Sequence, residues 1–191
     1  MPYRLDPPYN ENYYHVYNRG NNKEDIFFTD NHYKFFLQRV FEIFEEYQLK
    51  LVCYCLMPNH YHLIVYVTEE HTLAKAMQRI ANSYTKAINT SLGKSGHLFE
   101  GRYKSKLIPD NNYLLHLSRY IHLNPVRSGF VRKPEEWYYS SYSDYVEGKQ
   151  SLLSKTIILD QFKGCAAYKK FVVSFQEEEY YFLKDVVIEE L

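Results

Sequence analysis

The chain has 191 residues, 46% of them hydrophobic and 24% charged, which excludes a disordered or low-complexity protein and suits one compact domain with a small appendage. Cys53, Cys55 and Cys165 are its only cysteines, too few and too odd in number for a disulfide framework, so a reducing cytoplasm is expected; the start lacks the apolar run of a signal peptide, and no apolar stretch approaches the roughly 20 residues of a membrane span. Net charge is zero, yet residues 73–133 carry 11 Lys+Arg against 2 Asp+Glu, while 1–72 carry 6 against 10 and 134–191 carry 6 against 11, and a basic centre between acidic ends points to a polyanion-binding face.

Residues 13–18, Tyr-Tyr-His-Val-Tyr-Asn, have the aromatic and β-branched content of a strand. Arg19-Gly20-Asn21-Asn22 is a turn. Asp30 is a candidate N-cap for a helix near 31–47, whose apolar side holds Phe35, Phe36, Val40, Ile43 and Phe44. Residues 49–57 and 60–67 are two strands separated by Pro58-Asn59, a hairpin signal. Thr72 is a candidate cap for a helix over 73–91, with Leu73, Ala76, Met77, Ile80, Tyr84 and Ile88 at helical spacing. Residues 102–108 form a fourth strand. A third helix begins at Pro109-Asp110 and is expected to end at Asn124-Pro125. This order predicts an α+β fold: a ferredoxin-like split βαβ antiparallel sheet, helices on one face, and one extra helix. Beyond 134 the pattern weakens. Trp137, several tyrosines and an acidic helix near 166–182 suggest a tail that packs on the 1–133 domain or forms an interface arm.

The sharpest local feature is His60-Tyr61-His62. Residues i and i+2 of a strand point to one face, about 7 Å apart along the chain, so two imidazoles can converge on one divalent cation. Leu63-Ile-Val65 reads as the continuation of a buried central strand. His-x-His pairs also arise with no ligand role.

The second feature is the helix from Asp110. Leu114, Leu117 and Ile121 form its core stripe, and Tyr113, His116, Tyr120 and Asn124 a second stripe along one edge. Tyr120 and Asn124 are one turn apart, about 6 Å along the axis. An amide oxygen is a hard metal ligand and a phenol is a nucleophile, so one helical edge offers both. Taken alone, Tyr120 is equally a half-buried aromatic.

Phosphodiester chemistry gives a reason for these types to occur together. A divalent ion on the non-bridging oxygens offsets the negative charge that repels nucleophiles. Ionising a phenol at neutral pH costs roughly 4 kcal/mol, part of which a nearby cation supplies. The aryl phosphate formed stores the cleaved bond, and a DNA 3′-hydroxyl can attack it to rejoin strands. Basic residues lie on the same elements. Arg102, Lys104 and Lys106 alternate on the fourth strand; Arg119 and Arg127 lie on or just after the third helix; Arg79 is on the second and Arg19 opens the turn after the first strand. These are the expected backbone contacts. Alternating lysines on an edge strand also block aggregation.

His15-Val-Tyr-Asn-Arg-Gly20, Met57-Pro-Asn-His-Tyr-His62, Phe99-Glu-Gly-Arg-Tyr103 and Tyr113-Leu-Leu-His-Leu-Ser-Arg-Tyr-Ile-His-Leu-Asn-Pro-Val-Arg-Ser-Gly129 stand in the order found in single-tyrosine HUH transposases. The chain resembles that family over about 15–130, and most closely its REP-associated tyrosine transposases. The resemblance implies a metal-dependent single-stranded DNA endonuclease and strand transferase. His60 and His62 would bind Mg²⁺ or Mn²⁺, Asn124 would complete the site, and Tyr120 would attack to give a 5′-phosphotyrosine. Hairpin or palindromic-repeat DNA is the implied partner. Relatives often pair, which leaves a homodimer open. A non-catalytic hairpin-binding protein is the alternative.

Overall fold

A computed structural model of the chain describes residues 12–69, 71–148 and 150–175, in two units, Met1–Leu107 and Ile108–Leu191. In the first unit β1 (Asn12–Arg19), α1 (Asp30–Glu46), β2 (Lys50–Met57), β3 (His60–Val67), α2 (Thr72–Leu92) and β4 (Lys104–Leu107) follow in chain order. The strands lie in the order β2-β3-β1-β4 and every neighbouring pair is antiparallel. This is the expected split βαβ arrangement, because each helix crosses over to return the chain to the sheet. Pro58-Asn59 makes the two-residue turn between β2 and β3, with Met57 paired to His60.

Side chains alternate across the sheet. Tyr61 of β3 meets Phe36 of α1 with ring centroids 5.0 Å apart, and Phe36 meets Tyr84 of α2 edge to face at 5.0 Å. The helices therefore cover the Tyr61 face, and the odd members Tyr61, Leu63 and Val65 are all buried. Tyr84 lies among these rings with its hydroxyl donating to the Ile26 carbonyl at 2.7 Å, so its polar tip is satisfied in the core.

Several boundaries differ from the sequence expectation. Thr29, not Asp30, is the N-cap of α1; Asp30 is the first helical residue and pairs with Lys34 one turn on. α2 is preceded by His71 in the left-handed region (φ 62°), and Thr72 is its first residue, with its hydroxyl donating back to the Glu69 carbonyl at 2.7 Å. β4 covers Lys104–Leu107 rather than 102–108. Upstream, residues 100 and 101 are tied to the end of β1 by single bonds, Glu100 N to Arg19 O and Asn18 Nδ2 to Gly101 O, instead of a ladder. Downstream, Pro109 has no N–H to donate.

Gly20 fits where no side chain can. A Cβ there would stand 1.9 Å from the Glu24 carbonyl oxygen, and its N–H holds the Asn59 carbonyl at 2.8 Å. Gly20→Ala should lower stability by roughly 1–3 kcal/mol through overpacking. Urea unfolding measures this, and a midpoint equal to wild type would show that the turn gives way freely.

In the second unit α3 (Asn111–Arg127) is followed by α4 (Tyr142–Val146), α5 (Thr156–Leu159) and α6 (Cys165–Val173). Asp110 caps α3, its carboxylate accepting from Tyr113 N at 2.8 Å. The helix does not end at Asn124-Pro125. It carries Pro125 inside and runs to Arg127, because the missing N–H removes one bond while Ser128 N still reaches the Asn124 carbonyl at 2.9 Å. Leu114, Leu117 and Ile121 are buried as expected, and so are Ser118, Arg119 and His122. The segment after 133 packs on α3, so the division by compactness falls after Leu107, ahead of the expected 133–134 boundary. Of the acidic helix expected near 166–182, Cys165–Val173 is helical, and its part beyond 175 lies outside the described residues. Among the described residues no helix is long and apolar enough to cross a membrane.

Candidate metal centre and nucleophile helix

His60 and His62 alternate on β3, between β2 and β1, so both imidazoles leave the same face of the sheet, opposite the helices. Their ring centroids are 5.1 Å apart. Tyr61 between them faces α1, and burial above all, then Tyr103, drives its phenol far above the usual range. That tyrosine packs the core and is no nucleophile.

Hydrogen bonds set how each ring is held. His60 Nδ1 lies 2.6 Å from Asn59 Oδ1. Asn59 Nδ2 in turn donates to the Lys23 carbonyl at 3.2 Å. That second bond fixes the amide orientation, so His60 faces an acceptor and Nδ1 carries the proton. His62 Nδ1 lies 2.9 Å from His15 Nε2. In each ring the engaged nitrogen is Nδ1, and Nε2 is the nitrogen a cation would use. His15 is fully buried and held neutral, its pKa well below the usual imidazole value because of burial first, then His62 and Lys106.

The register builds rows on this face. Tyr17 pairs with both His62 and Lys104, and His15 with both Ile64 and Lys106. Lys104 and Lys106 therefore share the histidine face, Lys104 Nζ lying 5.9 Å from the Tyr17 ring centre. Arg102 is exposed in the bend just before β4.

Among the described residues no three His, Cys, Asp or Glu side chains are grouped as metal ligands. Two imidazoles would need oxygen donors such as an amide or a phosphate to complete a shell. Such a mixed set fits Mn²⁺ well, whereas Mg²⁺ prefers all-oxygen surroundings.

In the second unit Tyr120 and Asn124 occupy successive turns of one side of α3, and both are buried. The Arg127 guanidinium lies over the Tyr120 ring at 4.9 Å. Ser128 Oγ donates to Asn124 Oδ1 at 3.4 Å. The structure thus brings His60 to His62 within the first unit, and Tyr120 to Asn124 and Arg127 within the second.

Three expected DNA contacts are otherwise engaged. Arg119 is buried; it donates to His116 Nδ1 at 2.7 Å and to the Phe171 carbonyl at 3.3 Å, with its guanidinium 4.3 Å from the Phe171 ring centre. It packs α6 onto α3 and faces no solvent. Arg79 pairs with Glu46 at 2.5 Å on the outer side of α1 and α2, behind the sheet as seen from the histidines. Arg19 is tied to Glu100, with its second nitrogen 3.0 Å from Glu100 Oε1, and this pairing holds the Glu100 carboxyl below the usual range. Sequence reasoning missed His15 and Asn59 as neighbours of the His60–His62 pair. Asn59 lies in the hairpin turn beside His60, but the contact of His15 depends on a strand register that spacing alone does not reveal.

Against known proteins, the family described as Transposase IS200 like matches residues 9–124. A protein assigned as a REP-associated tyrosine transposase from Haemophilus influenzae is 26% identical over 108 residues, covering 51% of this chain and 61% of that relative. The match thus spans less than two thirds of the relative's length. A solved structure of a REP-associated tyrosine transposase bound to a REP hairpin superposes with a TM-score of 0.65 at 18% identity, over 80% of this chain and 89% of that one, and so shares the fold. With the matched region extending over more than half of the sequence, from before β1 into the end of α3, this chain belongs to the IS200-like transposase family.

Proposed function

We propose that the protein cuts single-stranded DNA beside a hairpin and becomes joined to the cut end through Tyr120. The observation that carries this reading is the His60–His62 pair, side by side on one sheet face, each ring held through Nδ1 by Asn59 or His15. His60 and His62 would hold a divalent metal ion with Asn124; when bound, such an ion offsets phosphate charge and polarises phosphorus. The Tyr120 oxygen attacks phosphorus and the bond from phosphorus to the 3′-oxygen breaks. The phenol proton passes to solvent, the departing 3′-oxygen takes one up, and a 5′-phosphotyrosine and a 3′-hydroxyl result. Attack by another 3′-hydroxyl reverses the step and joins strands with no external energy source. Lys104, Lys106, Arg102 and Arg127 would contact the DNA backbone. The hairpin carried by the structurally similar transposase supports a hairpin substrate here.

The test uses a hairpin oligonucleotide with single-stranded flanks, labelled at its 3′ end, since the tyrosine would retain that fragment. With Mn²⁺, denaturing gels should show a labelled band at protein size. Chelation should abolish it, and fresh Mn²⁺ should restore it. No covalent band with Mn²⁺ or Mg²⁺ across a panel of palindromic hairpins would remove the nuclease reading.

A further inference from the structure

We infer that His15 is a positioning residue for the metal site: its Nε2 accepts a hydrogen bond from His62 Nδ1 and so reserves His62 Nε2 for the cation. The inference rests on the metal-binding reading above. His15 stands on β1, 47 positions from His62, and the two rings meet because of the strand register, with nitrogens 2.9 Å apart and ring centroids 5.1 Å apart at an interplanar angle of 19°. A neutral imidazole that offers its Nε2 lone pair to a metal carries its proton on Nδ1. That Nδ1–H then needs an acceptor. At His60 the acceptor is Asn59 Oδ1, and at His62 it is His15 Nε2. The two ligands are thus served by different residues from different elements, with the same consequence for the tautomer.

The environment of His15 supports more than packing. The side chain is fully buried, and its own Nδ1 has no hydrogen bond among the described residues. An apolar side chain would fill the position without that unsatisfied group. Tyr17 stacks on His15 at 4.7 Å and also flanks His62 at 6.1 Å, which restrains both rings. A residue that only filled space would not need a nitrogen aimed at His62.

The test compares His15→Leu, His15→Gln and His15→Asn in the full chain. Glutamine can place an amide oxygen near the position of Nε2; asparagine is too short and mimics Nδ1 instead. Mn²⁺ binding is read by electron paramagnetic resonance of the free ion, and thermal unfolding is followed alongside. His15→Leu and His15→Asn should weaken Mn²⁺ binding about 10–100-fold, while His15→Gln stays within a few-fold of wild type. The Mn²⁺ concentration for half-maximal adduct formation should rise in parallel, with the rate at saturating Mn²⁺ changed much less. If His15→Leu does not fold, the contrast between the two amide variants still decides. Equal Mn²⁺ affinity for His15→Gln and His15→Asn would overturn the assignment. His62→Ala separates the two levels. Loss of Mn²⁺ binding in His62→Ala with none in His15→Asn rejects His15 alone, whereas a wild type that binds no Mn²⁺ rejects the metal site and this inference together.

Discussion

Tyr120→Phe should eliminate the covalent protein–DNA band, a fall of about 10³-fold or more, while hairpin affinity and melting temperature stay near wild type. The substitution removes one oxygen and keeps the ring, so the buried packing of α3 survives. A phenol must lose its proton to attack, at a cost of roughly 4 kcal/mol at neutral pH, and the Arg127 guanidinium lies 4.9 Å from the Tyr120 ring centre. Phenylalanine keeps that stacking and cannot attack. Three other results would each redirect the assignment. An adduct that survives in Tyr120→Phe moves the nucleophile elsewhere, with Tyr113 on the same helix the first to examine. Turnover without any trapped species, retained in Tyr120→Phe, points to water as the nucleophile. Tight hairpin binding with no cleavage by wild type under any divalent ion leaves a DNA-binding protein.

Much of the first unit was legible because its signals are local and strong. Long periodic stretches mark both helices, the two-residue Pro58-Asn59 turn marks the β2–β3 hairpin, and the period of two along a strand puts His60 and His62 on one face. Their neighbours could not be read the same way. The pairing of β1 with β3 joins residues 47 apart, so the approach of His15 to His62 needed the fold. The second unit was legible only on one flank of α3. A helical wheel marks Leu114, Leu117 and Ile121 as apolar, but nothing in it marks Arg119 or His122 as buried. Of the elements that pack against them, α4 spans 5 residues, too short for periodicity to announce it, and the helix expected near 166–182 carries no sign that its α6 portion packs on α3. Arg119 therefore reads from sequence as a DNA contact, whereas it packs against Phe171. Arg79 resists sequence reading for another reason: a basic residue on a helix has no visible side until the sheet beneath that helix is known.

His122→Leu should destabilise the second unit by about 2–5 kcal/mol, because it takes a hydrogen-bond partner from each of two buried hydroxyls and leaves the ring's place in the core incompletely filled. His122 is fully buried among Tyr142, Tyr145 and Tyr168, with ring centroids 5.5, 5.0 and 5.8 Å away. Its Nδ1 lies 2.8 Å from Tyr168 Oη and its Nε2 2.8 Å from Ser141 Oγ. Tyr168 Oη donates to Ser118 Oγ at 3.1 Å, and Ser118 donates to the Leu115 carbonyl at 2.8 Å. These directions assign the tautomer: Nδ1–H donates to Tyr168, and Nε2 accepts from Ser141. Each hydroxyl gives its proton to the next group, so the chain is satisfied only with a neutral imidazole. Burial accordingly holds the His122 pKa down to about 3. The unfolded chain takes up its proton near pH 6.5, well before the folded one. The stabilisation from neutral His122 is thus complete above about pH 6.5 and is lost as pH falls from there toward 3, with a slope of at most about 1.4 kcal/mol per pH unit. Urea unfolding between pH 8 and 5 should show this slope in wild type. His122→Asn, whose amide can still donate to Tyr168, should be less stable than wild type at pH 8 and should lack that part of the acid dependence. Parallel stability profiles for the two proteins below pH 6.5 would mean that the ring takes up its proton in the folded state as readily as in the unfolded chain, with Nε2–H then donating to Ser141.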